Sequence, residues 1–120
     1  MRVLVDSDQY YEFVREKRFA VIYFDARWNG TGIPLRPRFA DAQSRFAERV
    51  NFGEVDCDHW DSFTNVDEPR IVTVPTVAYY RDGALEKAYA GASQDVVAQT
   101  KALIAGENIE YITARFRFFK

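Results

Sequence analysis

Phe19-Ala20-Val21-Ile22-Tyr23-Phe24-Asp25-Ala26 is apolar almost from end to end. A run of this length, rich in β-branched and aromatic residues and lacking a polar residue at every second position, predicts a strand buried on both faces. Such strands lie at the centre of a sheet with helices on either side. The run ends in Arg27-Trp28-Asn29-Gly30-Thr31-Gly32-Ile33, a glycine-containing loop. Pro34 then suits the first position of a helix, because the amide it lacks would be unpaired there in any case. Leu35, Phe39, Ala42, Phe46 and Val50 recur at helical spacing and predict a helix to about Arg49. Pro37 is expected to kink its first turns or to mark a late start.

Working outward, Arg2 to Val5 predicts a short strand, and Asp6 followed by Gln9 reads as a capping box opening a helix to about Arg15. Tyr10, Phe13 and Val14 give that helix one apolar stripe. Downstream, Asn51 to Asp56 predicts a second central strand. His59 to Pro69 is irregular, with a short helix around Trp60–Asn65. Val72 to Arg81 is β-rich, and Asp82-Gly83 is a hairpin turn into Ala84–Ala90. Gly91 breaks that strand. Ser93 is expected to cap a last helix with Val96, Val97, Thr100, Leu103 and Ile104 on one face, and Gly106 to end it. The order βαβαβ(α)ββα is that of an α/β domain over residues 1–106: a mixed β-sheet of four to five strands flanked by helices, parallel crossovers first and an antiparallel hairpin after them. Residues 107–120 form a C-terminal extension.

Composition narrows the function classes. A chain of 120 residues that is 48% apolar holds a core without staples and is not a disordered segment. A net charge of -2 argues against nucleic acid as partner. The single cysteine, Cys57, excludes an internal disulfide and a cysteine-only metal cluster. No signal-peptide pattern or apolar run of about 18 residues stands near Met1, so the expectation is a cytoplasmic protein without membrane contact.

Landmarks in order resemble the thioredoxin family between Val3 and Gly106. Trp28 matches the tryptophan that precedes the family's first redox cysteine, and Pro37 the proline of its second helix. Val55-Asp56-Cys57-Asp58 resembles the end of the third strand. Val74-Pro75-Thr76 is similar to the loop whose proline is cis in the family. Asp82-Gly83 and Gly91-Ala92-Ser93 match the hairpin and the turn into the last helix. The resemblance implies a thioredoxin-like fold, with a cis bond before Pro75 and that proline exposed beside Trp28. It also locates the departures. Asn29 and Gly32 occupy the positions of the two redox cysteines, Tyr23 that of a buried proton-transfer aspartate, and Glu54 that of a nearby lysine. Disulfide exchange needs an attacking thiolate and a resolving thiol, and neither an amide nor a hydrogen atom supplies one.

The candidate sites follow from the same residues. Trp28, Asn29, Gly30, Thr31, Gly32 and Ile33 precede a helix whose N-terminus attracts anions, with Arg27, Arg36 and Arg38 as added charge. This loop either holds a small anion such as glutathione or simply closes a turn. Val74, Pro75 and Gly91 outline a groove that, in the family, pairs with extended peptides, or else Pro75 only fixes a tight turn. Asp56, Cys57, Asp58, His59 and Asp61 are rich in ligand atoms, but strand-end aspartates more often cap turns, so no metal is expected. Cys57 is expected to be a buried, unreactive thiol, since acidic neighbours raise its pKa. In the extension, Ile112, Ala114, Phe116 and Phe118 share one parity while Arg115 and Arg117 take the other. That alternation predicts an edge strand or a cover on the domain, or else an apolar surface binding a partner or a second copy in a homodimer.

The function expected is a redox-inactive, non-enzymatic thioredoxin-like protein without a cofactor, binding a protein or peptide as adaptor, assembly factor or chaperone-like subunit. The alternative is a glutathione- or anion-binding enzyme or sensor using the vacated groove.

Overall fold

At the centre of the sheet lies β2 (Phe19–Asp25), buried at every position. The computed structural model describes residues 2–26, 35–58 and 74–106. Around β2 run β1 (Arg2–Val3), β3 (Val50–Asp56), β4 (Thr76–Arg81) and β5 (Ala84–Ala90), in the spatial order β1-β3-β2-β4-β5. β3 is parallel to both β1 and β2, whereas β4 is antiparallel to β2 and β5. The mixed sheet and its flanking helices are those the apolar runs and the hairpin signal predict.

Among the described residues three helices cover the two faces. α1 (Ser7–Glu16) starts at Asp6, whose carboxylate accepts the Gln9 amide at 2.8 Å. The Gln9 side chain reaches back to the Val5 amide at 3.0 Å, one residue before the position of a standard capping box. Tyr10, Phe13 and Val14 of α1 are buried against Leu4, Ile22 and Phe24. On the opposite face, α2 (Leu35–Phe46) and α3 (Val96–Ala105) enclose Val21, Tyr23, Phe52 and Tyr79.

Several expectations change at element ends. α2 stops at Phe46, and Val50 belongs to β3, where it is buried. The Arg49 amide closes a tight turn on Phe46 O at 3.0 Å. Lys17 Nζ donates to the Ala47 and Glu48 carbonyls at 2.7 and 3.4 Å, so the last turn is ended by a residue from another element. The cap of α3 is Asp95, which accepts the Ala98 amide at 3.0 Å, and not Ser93, which is exposed. Gly106 closes α3 in the left-handed conformation at φ 77, donating to the Ala102 and Leu103 carbonyls. At the hairpin, Asp82 and Gly83 have φ 53 and 80, the two positive values of a type I′ turn.

The Val74–Pro75 peptide bond is cis. The expected helix around Trp60–Asn65, residues 72–73 of the β-rich run and Pro34 lie outside the described residues. No helix among the described residues is long and apolar enough to cross a membrane.

Candidate functional site

Parallel β2 and β3 end side by side, and α2 begins just past the same edge of the sheet. Tyr23 and Asp25, two apart on β2, therefore face α2 together. The Tyr23 ring lies 5.3 Å from that of Phe39, and its hydroxyl donates to Asp25 Oδ2 at 2.5 Å. The other carboxylate oxygen of Asp25 accepts the Ala26 amide at 2.8 Å. Arg36, on the first turn of α2, brings Nη2 to 3.5 Å from Asp25 Oδ2 and sets its guanidinium 5.7 Å from the Tyr23 ring centroid. Asp25 is 7% exposed and Arg36 49%, so the pair spans from the interior to the surface. Burial, and then the bond to Asp25, push the Tyr23 phenol well above its ordinary range. Glu54 is the register partner of Tyr23 on β3. The two positions that the family resemblance assigns to an aspartate and a lysine are thus neighbours, filled by a phenol and a carboxylate.

Cys57 stands on the other face. It follows β3, donates its amide to the Asp25 carbonyl at 2.8 Å, and packs half-buried on the α1 side of the sheet. Burial first, then Asp56, Asp25 and Asp58, push its thiol up to about 11. A thiol so shifted is almost entirely protonated near neutrality and is a poor nucleophile. Asp58 donates its amide to Asp56 Oδ1 at 3.0 Å, an aspartate turn at a strand end. Among the described residues no three His, Cys, Asp or Glu side chains converge on a metal position. His59 and Asp61 lie outside them.

The third part of the site is the entry to β4. Pro75 is buried and not exposed, a correction with a clear cause: its carbonyl accepts the Gly91 amide at 2.9 Å, drawing the loop against the start of the α3 segment. Gly91, at φ 109 and exposed, makes that approach without a side chain. Gln94 Nε2 braces the same turn, donating to the Tyr89 and Gly91 carbonyls at 2.9 and 2.8 Å. Val74 is half-buried, and its backbone pairs with no described residue outside the sheet ladders.

The structure thus brings Val74, Pro75 and Gly91 together. Trp28, Asn29, Gly30, Thr31, Gly32 and Ile33, with Arg27, lie outside the described residues, as do Ile112, Phe116 and Phe118. Of the arginines expected to serve an anion, Arg36 is engaged by Asp25, and Arg38 donates to the Gln94 carbonyl at 3.1 Å. The polar group at Asp25 was not among the candidates. Its signal was a lone carboxylate closing an apolar strand.

The thioredoxin family model matches residues 2–102. The chain belongs to the thioredoxin family. Among solved structures, mitochondrial thioredoxin 3 from Saccharomyces cerevisiae superposes with a TM-score of 0.74 at 21% identity, covering 88% of this chain and 94% of that one. The thioredoxin of Malassezia sympodialis gives 0.72 at 23% identity, covering 89% and 90%. That of Plasmodium falciparum gives 0.72 at 18% identity, covering 90% and 100%. At these identities the likeness is one of fold. No curated protein matches the chain at a significant level. As a family member with one cysteine, this thioredoxin-like chain lacks the thiol pair that disulfide exchange within one molecule requires.

Proposed function

We propose that this thioredoxin-like chain is redox-inactive and works by binding an extended segment of a protein partner through Val74, Pro75 and Gly91 together with residues Trp28 to Ile33. The observation that carries the reading is a backbone ledge at Val74 and Pro75 on a chain whose one thiol lies on the other face of the sheet. The Pro75 carbonyl is tied to Gly91, and the adjoining Val74 backbone pairs with no described residue outside the sheet ladders. Cys57 meanwhile is protonated and lies on the α1 face of the sheet. A free amide and carbonyl beside a strand are what an extended peptide pairs with. The engagement of Arg36 and Arg38 by groups of the protein favours a peptide over a small anion.

Two measurements test it. Insulin reduction driven by dithiothreitol should proceed no faster with the protein than without it, and turnover above that baseline would remove the redox-inactive reading. A set of extended peptides should move the Val74, Thr76 and Gly91 amide resonances saturably. If no peptide does so while glutathione saturates a site at the start of α2, the anion-binding alternative replaces this one.

A further inference from the structure

Exposed large apolar side chains among the described residues are Val3, Val5 and Tyr11, at 49%, 58% and 40%. Tyr11 has company on its helix: the Arg15 guanidinium lies 5.7 Å from its ring, and Tyr10 meets it edge-on. Val3 and Val5 form a bare step at the β1 edge. They point away from α1, because the residues alternating with them point toward it. Arg2 lies over Phe13 at 5.2 Å and Leu4 packs in the α1 cluster. The backbone alternates too. Leu4 donates to the Glu54 carbonyl at 2.8 Å, so the Val3 amide is turned outward, away from β3.

The other side of this edge is acidic. Gln9, Glu12 and Glu16 share one face of α1 by their spacing. Gln9 bonds the Val5 amide and Glu16 bonds Arg2 at 2.7 Å, which sets that face above β1 and places Glu12 between them. A strand laid outside β1 would therefore meet valines on one side and carboxylates on the other.

Residues 107–120 carry the complementary pattern: Ile112, Ala114, Phe116 and Phe118 on one parity, Arg115 and Arg117 on the other. The point of departure and the handedness of the fold also select this edge. Arg81, opposite the first residue of β2, donates to the Leu103 carbonyl at 2.7 Å, so α3 ends where β2 begins. A strand leaving there along the sheet runs parallel to β1, β2, β3 and β5. Crossovers between parallel strands are right-handed in about 98% of cases. β1-α1-β2 and β2-α2-β3 step in opposite directions across the sheet with their helices on opposite faces. α3 shares the face of α2, so a right-handed continuation lies on the β1 side, whereas a strand added outside β5 would be left-handed. At about 4.8 Å per strand the path is roughly 15–20 Å, the reach of about five extended residues. The nine residues between Gly106 and Phe116 cover that path, which lets Phe116 stand beside Val3 and Phe118 beside Val5.

We propose that residues 107–120 add a parallel strand outside β1 within the same molecule, with Phe116 and Phe118 beside Val3 and Val5 and with Arg115 and Arg117 facing Glu16 and Glu12. This assignment is independent of the peptide-binding ledge. Amide exchange of the full chain tests it. The Val3 amide should exchange about tenfold or more slowly than in Phe116→Asp, at a rate independent of protein concentration. Arg115→Glu combined with Arg117→Glu should lose the slowing, and adding Glu12→Arg should restore most of it. An equal Val3 rate in the natural chain and in Phe116→Asp overturns the proposal. So does slowing that disappears on dilution, which would put the segment on a second copy of the chain.

Discussion

Asp25 closes an apolar strand, and its surroundings explain how a carboxylate is tolerated there. Its two oxygens accept from the Tyr23 hydroxyl and the Ala26 amide, and the Arg36 guanidinium lies beside them. A buried carboxylate without such partners would be strongly unfavourable. Cys57, on the opposite face, is governed first by burial and then by the carboxylates of Asp56, Asp25 and Asp58, all of which disfavour a thiolate. With its pKa raised from an ordinary value near 9 to about 11, the native chain holds the protonated thiol more strongly than the unfolded chain does. The resulting contribution to stability is full below about pH 9 and is lost as the pH rises through about 11. At pH 7.5, alkylation of Cys57 by iodoacetamide should be about a hundredfold slower in the native protein than in urea, following the thiolate fraction. Equal rates in the two states would show that the thiol is not held in this way.

At the scale of elements, the helix ends separate local from non-local control. Ser93 and Asp95 are both good capping residues by type, and each precedes an apolar helical pattern. Asp95 is the cap because the turn at Gly91, braced by Gln94, carries the chain to residue 95 before helical geometry begins. Asp95→Ala should destabilise the domain by about 0.5–2 kcal/mol in urea unfolding, while Ser93→Ala should change it by less than about 0.5 kcal/mol. The reverse ranking would restore Ser93 as the cap. α2 is the parallel case. Its apolar spacing carries on in the sequence to Val50, yet the helix yields at Phe46, where Lys17 takes the following carbonyls and β3 takes Val50.

At the scale of the whole molecule, Gly53 marks where β1, β3 and α1 meet. A Cβ placed on it would lie 2.8 Å from Phe13 Cζ and 3.2 Å from the Arg2 carbonyl oxygen. Gly53→Ala should therefore force Phe13 off its seat and cost about 1–3 kcal/mol, read by urea unfolding. A neutral effect would mean that α1 packs more loosely on the sheet than its geometry indicates. The closeness of this contact depends on residues from three elements and has no signature in the run around Gly53.

What the sequence determined by itself is the order and type of the described elements, the mixed sheet and the lack of a thiol pair. Hydrophobic period, a two-residue turn such as Asp82-Gly83 and the identities of Asn29 and Gly32 are local properties, legible within a few residues. Only the tertiary structure decided the grouping of Tyr23, Asp25 and Arg36, the burial of Pro75 under its bond to Gly91, and the placement of Cys57 on the far face of the sheet. Each depends on partners from separate elements, and the free energy of a buried polar group or thiol is set by what surrounds it in space, not by its neighbours along the chain.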